Sequence, residues 1–396
     1  MQEAKYKLAS STWDSEEFEA IQEVLASGRT TMGQRVSEFE EKFADYFGSK
    51  YAVMVNSGSS ANLLAIAALS HKKSNALAQG SEVIVPTVSW STTYYPVNQL
   101  GLTLRFVDID LDTLCINVSE VEGAINANTS AILVVNLLGQ PANLPELKKL
   151  ADKHGLYLIE DNCESMGASI DGKMCGSWGD IGTFSTFFSH HINTMEGGVA
   201  ITDDRELYEI MKSLRAHGWT RELDDVNQIY SKIGISWEDN YRFVLPGYNL
   251  RPLEMSGAIG IPQLKKLPQI ISKRQKNHEY FKSKFENIPD IQLQTGRGEN
   301  SSFGFSIILK NNLKGNRNEL VQYLERNSIE SRPIVSGDFT QQPVMSKLVH
   351  HPSIKSHQAR IVHDDGLFLG NHHFDIQEEI DYAYEVISDW VTRFHD

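Results

Sequence analysis

The sequence predicts an α/β protein, with a mainly parallel seven-stranded sheet between helices in a large domain and a smaller α+β domain at the C-terminal end. Short apolar runs alternate with amphipathic stretches through the first two thirds of the 396 residues. These runs are too continuously apolar for a sheet with one face in water, so helices are expected on both faces. The pattern changes near residue 250, which predicts a large domain over residues 1–250 and a smaller one over residues 251–396.

Each element of the large domain follows from a local pattern. The predicted strands are residues 51–56, 82–86, 104–110, 131–139, 156–161, 182–188 and 198–203. The predicted helices of this domain are residues 59–70, 144–155 and 204–218. A polar segment over residues 224–240 interrupts the alternation and predicts a loop near a site.

The smaller domain opens with a long helical stretch over residues 254–288, which is expected to link the two parts. An apolar run at residues 303–309, a helix at 317–328 and a short run at 329–335 follow. An amphipathic helix over residues 376–395 closes the chain.

The composition argues against several classes of function. The net charge of −14 excludes a general nucleic-acid role, because phosphate contacts need a basic face. No stretch approaches the ~20 apolar residues of a membrane helix, and the N-terminal segment lacks the layout of a signal peptide. The three cysteines, an odd and sparse set, favour a reducing compartment and fall short of the four thiolates of an ordinary iron–sulfur cluster. We therefore expect a cytoplasmic protein without a membrane partner, a metal or an iron–sulfur cluster.

The segment "NSGSSAN" at residues 56–62 follows the first predicted strand. Gly58 allows a tight turn, and Ser57, Ser59 and Ser60 lead into the next helix. Free backbone N–H groups at a helix start bind phosphate, and hydroxyl groups add donors. Taken alone, the segment is equally typical of a plain helix cap.

Two further candidates follow neighbouring strands. Asp161 ends an apolar strand at the edge where ligands of open α/β sheets bind, and a buried carboxylate there suits a pyridinium nitrogen. Trp90, in "TVSWSTTYYP", suits stacking on a flat heterocycle. The alternatives are a helix cap for Asp161 and a core position for Trp90.

The segment "FSTFFSHHINTMEGG" places Ser185 and His190 beyond another strand. A histidine pair in such a turn is commonly solvent-facing, or one ring is satisfied in the core. Each of these features is ambiguous by itself. Their order along the chain is informative when they are taken together: a phosphate turn, an aromatic residue, a carboxylate, and then a serine with a base.

That order matches pyridoxal-phosphate enzymes of the aspartate aminotransferase fold, also called fold type I. Over nearly its whole length, the chain resembles the nucleotide-sugar aminotransferase family, whose members act on keto-deoxysugars. The segments that carry the resemblance are residues 30–62, 160–168, 215–221 and 247–264. The resemblance implies a pyridoxal or pyridoxamine phosphate cofactor and a homodimer with shared active sites.

The sequence departs from the family at one position, since His190 stands where aminotransferases carry lysine. A lysine binds the cofactor covalently, whereas imidazole, with an ordinary pKa near ~6.5, can only move protons. The departure resembles that of the family's 3-dehydratases. It implies that His190 is the catalytic base and that a GDP-linked 4-keto-6-deoxy sugar loses its 3-hydroxyl with release of ammonia. L-Glutamate would then restore the amine form of the cofactor and leave as 2-oxoglutarate.

The resemblance also assigns the remaining roles. Ser59, Ser60 and Ser185 would bind the cofactor phosphate, beside Ser57 and Gly58. Glu164 would lie near the ring face opposite Trp90, and Asn249 would reach the phosphate of the neighbouring subunit. The residues predicted to face the substrate are Met32, His217, Arg221 and Arg332.

Three alternatives stay open. The first is a 4-keto-sugar aminotransferase that uses another lysine, for which Lys173 is the nearest candidate although it precedes the strand of Ser185. The second is a dehydratase of another nucleotide-linked 4-keto sugar. The third is an inactive relative that binds sugar nucleotides as a sensor.

Overall fold

The structure, a computed structural model, describes residues 4–395. Over this range the α-helices are α1 (Ser15–Ser27), α2 (Gln34–Phe47), α3 (Gly58–Ser70), α4 (Ser91–Gln99), α5 (Val118–Ala124), α6 (Leu144–His154), α7 (Arg205–Arg215), α8 (Ser236–Asp239), α9 (Glu254–Phe285), α10 (Arg317–Arg326), α11 (His357–Asp365) and α12 (Gln377–His395). The strands are β1 (Tyr51–Val55), β2 (Glu82–Pro86), β3 (Thr103–Val107), β4 (Thr129–Val135), β5 (Tyr157–Asp161), β6 (Ser169–Ile170), β7 (Lys173–Met174), β8 (Ile181–Ser185), β9 (Gly198–Thr202), β10 (Ile291–Gln292), β11 (Gly304–Leu309), β12 (Ser331–Arg332) and β13 (Gly366–Gly370).

The central sheet has seven strands in the order β1-β9-β8-β5-β4-β2-β3. Strand β9 runs antiparallel to both of its neighbours, and the other neighbouring pairs are parallel. Strands β2, β5 and β8 therefore end at one edge of the sheet, as the sequence predicted for an open α/β fold.

Both faces of this sheet are buried. On β1, Val53 and Val55 belong to the core that contains most of α3, whereas Ala52 and Met54 belong to a second core with residues of α2 and α9. Neighbouring residues of a strand point to opposite faces, so helices cover the sheet on both sides, as predicted.

Three predicted strands end earlier than expected. β3, predicted over residues 104–110, ends at Val107, just before Asp108. The other two are β4 and β8. β4 ends at Val135, and residues 137–139 form a 3-10 turn in which Leu138 adopts a left-handed backbone (φ 51°). β8 ends at Ser185, and the chain leaves the sheet so that Phe187 and Phe188 are exposed. In both places apolar residues continue past the end of the strand. The apolar pattern alone therefore could not show where the strand ends.

The C-terminal part contains an antiparallel sheet in the order β10-β11-β13-β12. Its core also includes Tyr6, whose hydroxyl donates a 2.8 Å hydrogen bond to the carbonyl of Gly370. The N-terminal segment thus packs with the small sheet, and the domain division at residue 250 stays a prediction. From Ala4 to His395, the structure has no helix both long and apolar enough to cross a membrane.

Candidate active site

The start of α3 is a polar turn at the edge of the central sheet. The Ser57 hydroxyl accepts the N–H of Ser60 at 3.1 Å and caps the helix, while Ser60 donates to the side chain of Asn56 at 2.6 Å. Ser59 donates to Thr92, just after β2, at 2.8 Å. The predicted helix cap is therefore present. A cap leaves other N–H groups of the first turn free, so it is compatible with the phosphate role, which stays a prediction.

Gly58 brings this turn against two other strand ends. A Cβ atom at Gly58 would lie 2.6 Å from the Cβ of Ser185 and 2.9 Å from the sulfur of Cys163. No side chain fits in that space, so glycine is required here by close approach. The turn, Ser185 at the end of β8 and Cys163 after β5 consequently form one cluster.

Asp161 ends β5 and is 4% exposed. Its Oδ2 accepts hydrogen bonds of 2.8 Å from Asn62 in α3 and from Thr93 in α4, and its Oδ1 accepts the N–H of Cys163 at 3.1 Å. Among the described residues, no cation pairs with this carboxylate. Asp161 is therefore a buried acceptor that is fixed in place and lacks a positive partner.

Asn62 and Thr93 were missed as site residues by the sequence analysis. Asn62 is the single amide in the otherwise apolar and small-residue α3, which is a signal that could have identified it. It also accepts the hydroxyl of Thr183 at 2.6 Å, which ties the helix to β8. Thr93 carries no comparable signal, because three hydroxyl residues occur together at 91–93.

His190 is held by one short hydrogen bond. Its Nδ1 lies 2.6 Å from the carbonyl oxygen of Cys163, and the rings of Phe303 and Phe187 contact it edge-on at 5.2 and 6.0 Å. A carbonyl can only accept, so Nδ1 carries the hydrogen. Burial lowers the pKa of His190 to about 4, although the carbonyl of Cys163 opposes this. The imidazole is thus neutral near pH 7, with its lone pair on Nε2.

His191 lies in a different environment. It is fully buried, and its Nε2 bonds to the carbonyl of Ser301 at 2.9 Å. Burial holds its pKa well below the ordinary value. The pair is therefore divided into one partly accessible ring, His190, and one ring enclosed in the core, His191.

Trp90 and Glu164 border the same edge. Trp90 precedes α4 and is 60% exposed, so its ring is not a core residue and is accessible for stacking. Glu164 is half-buried and accepts the N–H of Leu138 at 3.0 Å. Burial raises the pKa of Glu164 to about 7, against that hydrogen bond and with a further contribution from Asp161.

The remaining candidates lie outside this cluster of contacts. Asn249 is exposed and accepts from Arg251 at 3.1 Å, and the carbonyl of the next residue, Leu250, accepts the N–H of Asn56. Arg332 is exposed on β12, with no ion pair in the described part of the chain. Thus Asn249 lies near the turn of its own chain, and the assigned roles of Asn249 and Arg332 stay predictions.

Met32, His217 and Arg221 make contacts of other kinds. Met32 is half-buried and packs against the core of α2 and α9. His217 (φ 64°) contacts the ring of Trp219, and the guanidinium of Arg221 lies 4.2 Å from the centre of that ring. Between residues 4 and 395 no hydrogen bond, ion pair or ring contact joins these three to His190 or Asp161, so their roles stay predictions.

Lys173 lies on β7, where its side chain is exposed and its amine is 4.9 Å from the ring centre of Trp178. That position is outside the cluster around Asp161.

The sequence profile of the DegT/DnrJ/EryC1/StrS aminotransferase family matches residues 11–388. The chain belongs to this family. The predicted family and fold class are confirmed. Two characterised relatives are the GDP-4-keto-6-deoxy-D-mannose 3-dehydratases of Escherichia coli O55:H7 and Yersinia pseudotuberculosis. The E. coli protein is 52% identical to this chain over 99% of its own length, and the Yersinia protein is 50% identical over 98% of its own length. Both matches cover 96% of this chain.

Solved structures of this dehydratase share the fold closely. The E. coli enzyme with bound hydrated pyridoxal phosphate is 51% identical, with a TM-score of 0.94, over 97% of this chain and all of that one. Of two further structures, one contains GDP-perosamine and the other a trapped pyridoxal phosphate–glutamate geminal diamine. Both are 51% identical to this chain, with TM-scores of 0.93, over 96% of this chain and 100% of their own.

Proposed function

We propose that this protein is a pyridoxal/pyridoxamine phosphate-dependent 3-dehydratase that removes the 3-hydroxyl of GDP-4-keto-6-deoxy-D-mannose. The names and bound ligands of its relatives support the substrate class, the cofactor and glutamate as a co-substrate. The observation that carries the proposal is the hydrogen bond between Nδ1 of His190 and the carbonyl of Cys163, which leaves Nε2 as the nitrogen that can accept a proton. The assignment of His190 to the lysine position of the family follows from the resemblance of the sequence and stays a prediction.

The residues present fit the cofactor. A buried carboxylate without a cationic partner, Asp161, matches a protonated pyridine nitrogen, which is both a donor and a positive charge. The N-terminus of α3 and the hydroxyls of Ser59, Ser60 and Ser185 match a phosphate. Trp90 and Glu164 are assigned to the two faces of the ring.

The bound amine form of the cofactor supplies a group that condenses with a keto carbon and a ring that accepts electrons. Nε2 of His190 then accepts a proton from the carbon next to that amine, because neutral imidazole has a free lone pair there. The resulting imidazolium holds this proton and delivers it to the departing 3-hydroxyl, which leaves as water. The bond to Cys163 fixes the ring so that one nitrogen performs both transfers.

The proposal also covers the co-substrate, the second subunit and the residues that bind the sugar nucleotide. After dehydration, hydrolysis of the bond between the sugar and the nitrogen would consume one water and release the nitrogen as ammonia, which leaves the cofactor in its aldehyde form. L-Glutamate would then restore the amine and leave as 2-oxoglutarate. We assign Asn249 to the phosphate in the second subunit of a homodimer, and Met32, His217, Arg221 and Arg332 to the sugar nucleotide. These assignments follow the resemblance of the sequence and stay predictions.

The test is an assay with pyridoxal phosphate, L-glutamate and a panel of nucleotide-linked 4-keto-6-deoxy sugars. We expect ammonia, 2-oxoglutarate and a sugar lighter by one oxygen, with the GDP-linked mannose derivative as the best substrate. An amino-sugar product would instead support an aminotransferase. Binding of sugar nucleotides with no turnover of any of them would support a sensor.

A further inference from the structure

Arg274, in α9, is a buried cation without a carboxylate partner. The residue is 4% exposed, and within residues 4–395 it forms no ion pair. The other fully buried arginine, Arg215, is by contrast paired with both Glu40 and Glu222. An unpaired buried charge has a large desolvation cost, so its place in the fold calls for an explanation.

The guanidinium is bonded to backbone carbonyls. Its Nη1 donates to the carbonyls of Ser302 and Phe303 at 3.3 and 3.1 Å, and its Nε has no partner. The carbonyl of Ser302 also accepts from Asn371 at 3.1 Å. Ser302 has a left-handed backbone (φ 24°), a strained conformation that persists because several contacts fix it.

This segment supports the histidine pair. The carbonyl of Ser301 bonds to His191, and the ring of Phe303 contacts His190 edge-on, with centroids 5.2 Å apart and an interplanar angle of 70°. The N–H of Phe303 in turn donates to Leu138 at 3.0 Å. A continuous chain of contacts therefore links Arg274 to His190 through the backbone of residues 301–303.

We propose that Arg274 is a positioning residue for His190. Through the segment 301–303 it holds the Phe303 ring against the imidazole, and its buried positive charge disfavours a second positive charge on that imidazole. The proposal rests on the role of His190 in the proposed function, and it identifies one residue that acts on the base from outside the cofactor site.

The charges around His190 agree with this assignment. The titratable groups on the surrounding elements are Asp161, Cys163 and Glu164 after β5, His191 next in the chain, and Arg274 from α9. Burial is the largest cause that lowers the pKa of His190, and Arg274 lowers it further. The hydrogen bond to Cys163 and the charge of Asp161 act in the opposite direction. The positive charge of Arg274 thus shifts the pKa of His190 in the direction opposite to the shift caused by Asp161.

The test measures the pKa of His190 by NMR in protein with ¹³C-labelled histidine, before any cofactor is added. The resonance is assigned as the one missing in His190→Asn. In Arg274→Gln, which keeps N–H donors but loses the charge, we expect the pKa to rise from about 4 by roughly one. Arg274→Met should give a similar rise, and Arg274→Lys, which keeps the charge, should remain near wild type.

Lys273→Met is the matched control, because it removes a neighbouring positive charge on the exposed side of the same helix. A folded Arg274→Gln protein whose His190 titrates as in wild type would overturn the proposal. So would a wild-type pKa at or above the ordinary value, whether or not the variants fold. The titration needs no turnover, so a protein that titrates as expected but fails to dehydrate contradicts the proposed function alone.

Discussion

The Nδ1 atom of His190 lies 2.6 Å from the carbonyl oxygen of Cys163. This hydrogen bond joins the segment after β8 to the turn after β5, which also holds Asp161. It fixes the tautomer of the imidazole and directs the basic nitrogen away from the carbonyl. The backbone of Cys163 thus orients two side chains, because its carbonyl bonds to the imidazole of His190 and its N–H bonds to the carboxylate of Asp161.

His190→Asn should remove activity without unfolding the protein. The amide can still donate to Cys163, but it cannot accept a proton as a base. We expect the initial rate of ammonia release to fall by about 10²–10⁴-fold, with His357→Asn on the exposed surface as the control. A wild-type rate in His190→Asn would show that another group is the base.

His190→Lys should convert non-covalent cofactor binding into covalent binding. A primary amine in this position can attack the cofactor aldehyde, which imidazole cannot do stably. After treatment with pyridoxal phosphate and borohydride, we expect the protein mass to increase by one reduced cofactor, attached at residue 190. Wild-type protein treated in the same way should remain unmodified, and a labelled lysine in it would contradict the assignment of His190.

Thr93→Val should weaken cofactor binding. The change preserves shape but removes one of the two side-chain donors to Oδ2 of Asp161. A hydrogen bond to a charged group is worth about 1.5–3 kcal/mol, so the Kd for pyridoxal phosphate should increase by about 10–100-fold. Fluorescence titration measures this, and Thr103→Val on the edge strand β3 is the control. Equal Kd values for wild type and Thr93→Val would show that Thr93 does not contribute to cofactor binding.

Gly58→Ala should disrupt the cluster. The added Cβ would meet Ser185 at 2.6 Å and Cys163 at 2.9 Å, so α3 must move away from both. We expect a loss of about 1–3 kcal/mol in the free energy of unfolding, together with weaker cofactor binding. Gly123→Ala in α5, where a Cβ meets nothing within 4 Å, should be neutral or stabilising. A fully stable Gly58→Ala protein with normal affinity would refute the close approach.

His278→Phe should reduce the sensitivity of stability to acid. Burial lowers the pKa of His278 to about 4, below the unfolded value of 6.5. The folded state therefore binds fewer protons between these values, and stability falls as the pH falls through this window. Relative to wild type, the variant should retain about 1–2 kcal/mol more of its unfolding free energy between pH 7 and pH 5. Urea unfolding at both values measures this, and equal losses would contradict the prediction.

Much of the fold was accessible from the sequence because its signals are local. The strand at residues 82–86 was predicted at its observed bounds, and α3 and α6 to within a residue. The errors are of two kinds. Several helices, among them α1, α2, α4 and α5, were not predicted. Other errors lie where apolar residues continue beyond a strand, as at residues 137–139 and at Phe187. There a turn, set by contacts with distant segments, ends the strand although the side chains stay apolar.

The sequence by itself determined the family, most strands of the central sheet and several of its helices, since periodicity, helix starts and motif order depend on neighbouring residues. Only the tertiary structure decided which nitrogen of His190 is free, which residues fix Asp161, and that Arg274 has no carboxylate partner. Those facts depend on hydrogen bonds between residues 27, 99 and 29 positions apart. Such pairs meet only when both faces of the sheet are packed, and no local pattern specifies their geometry.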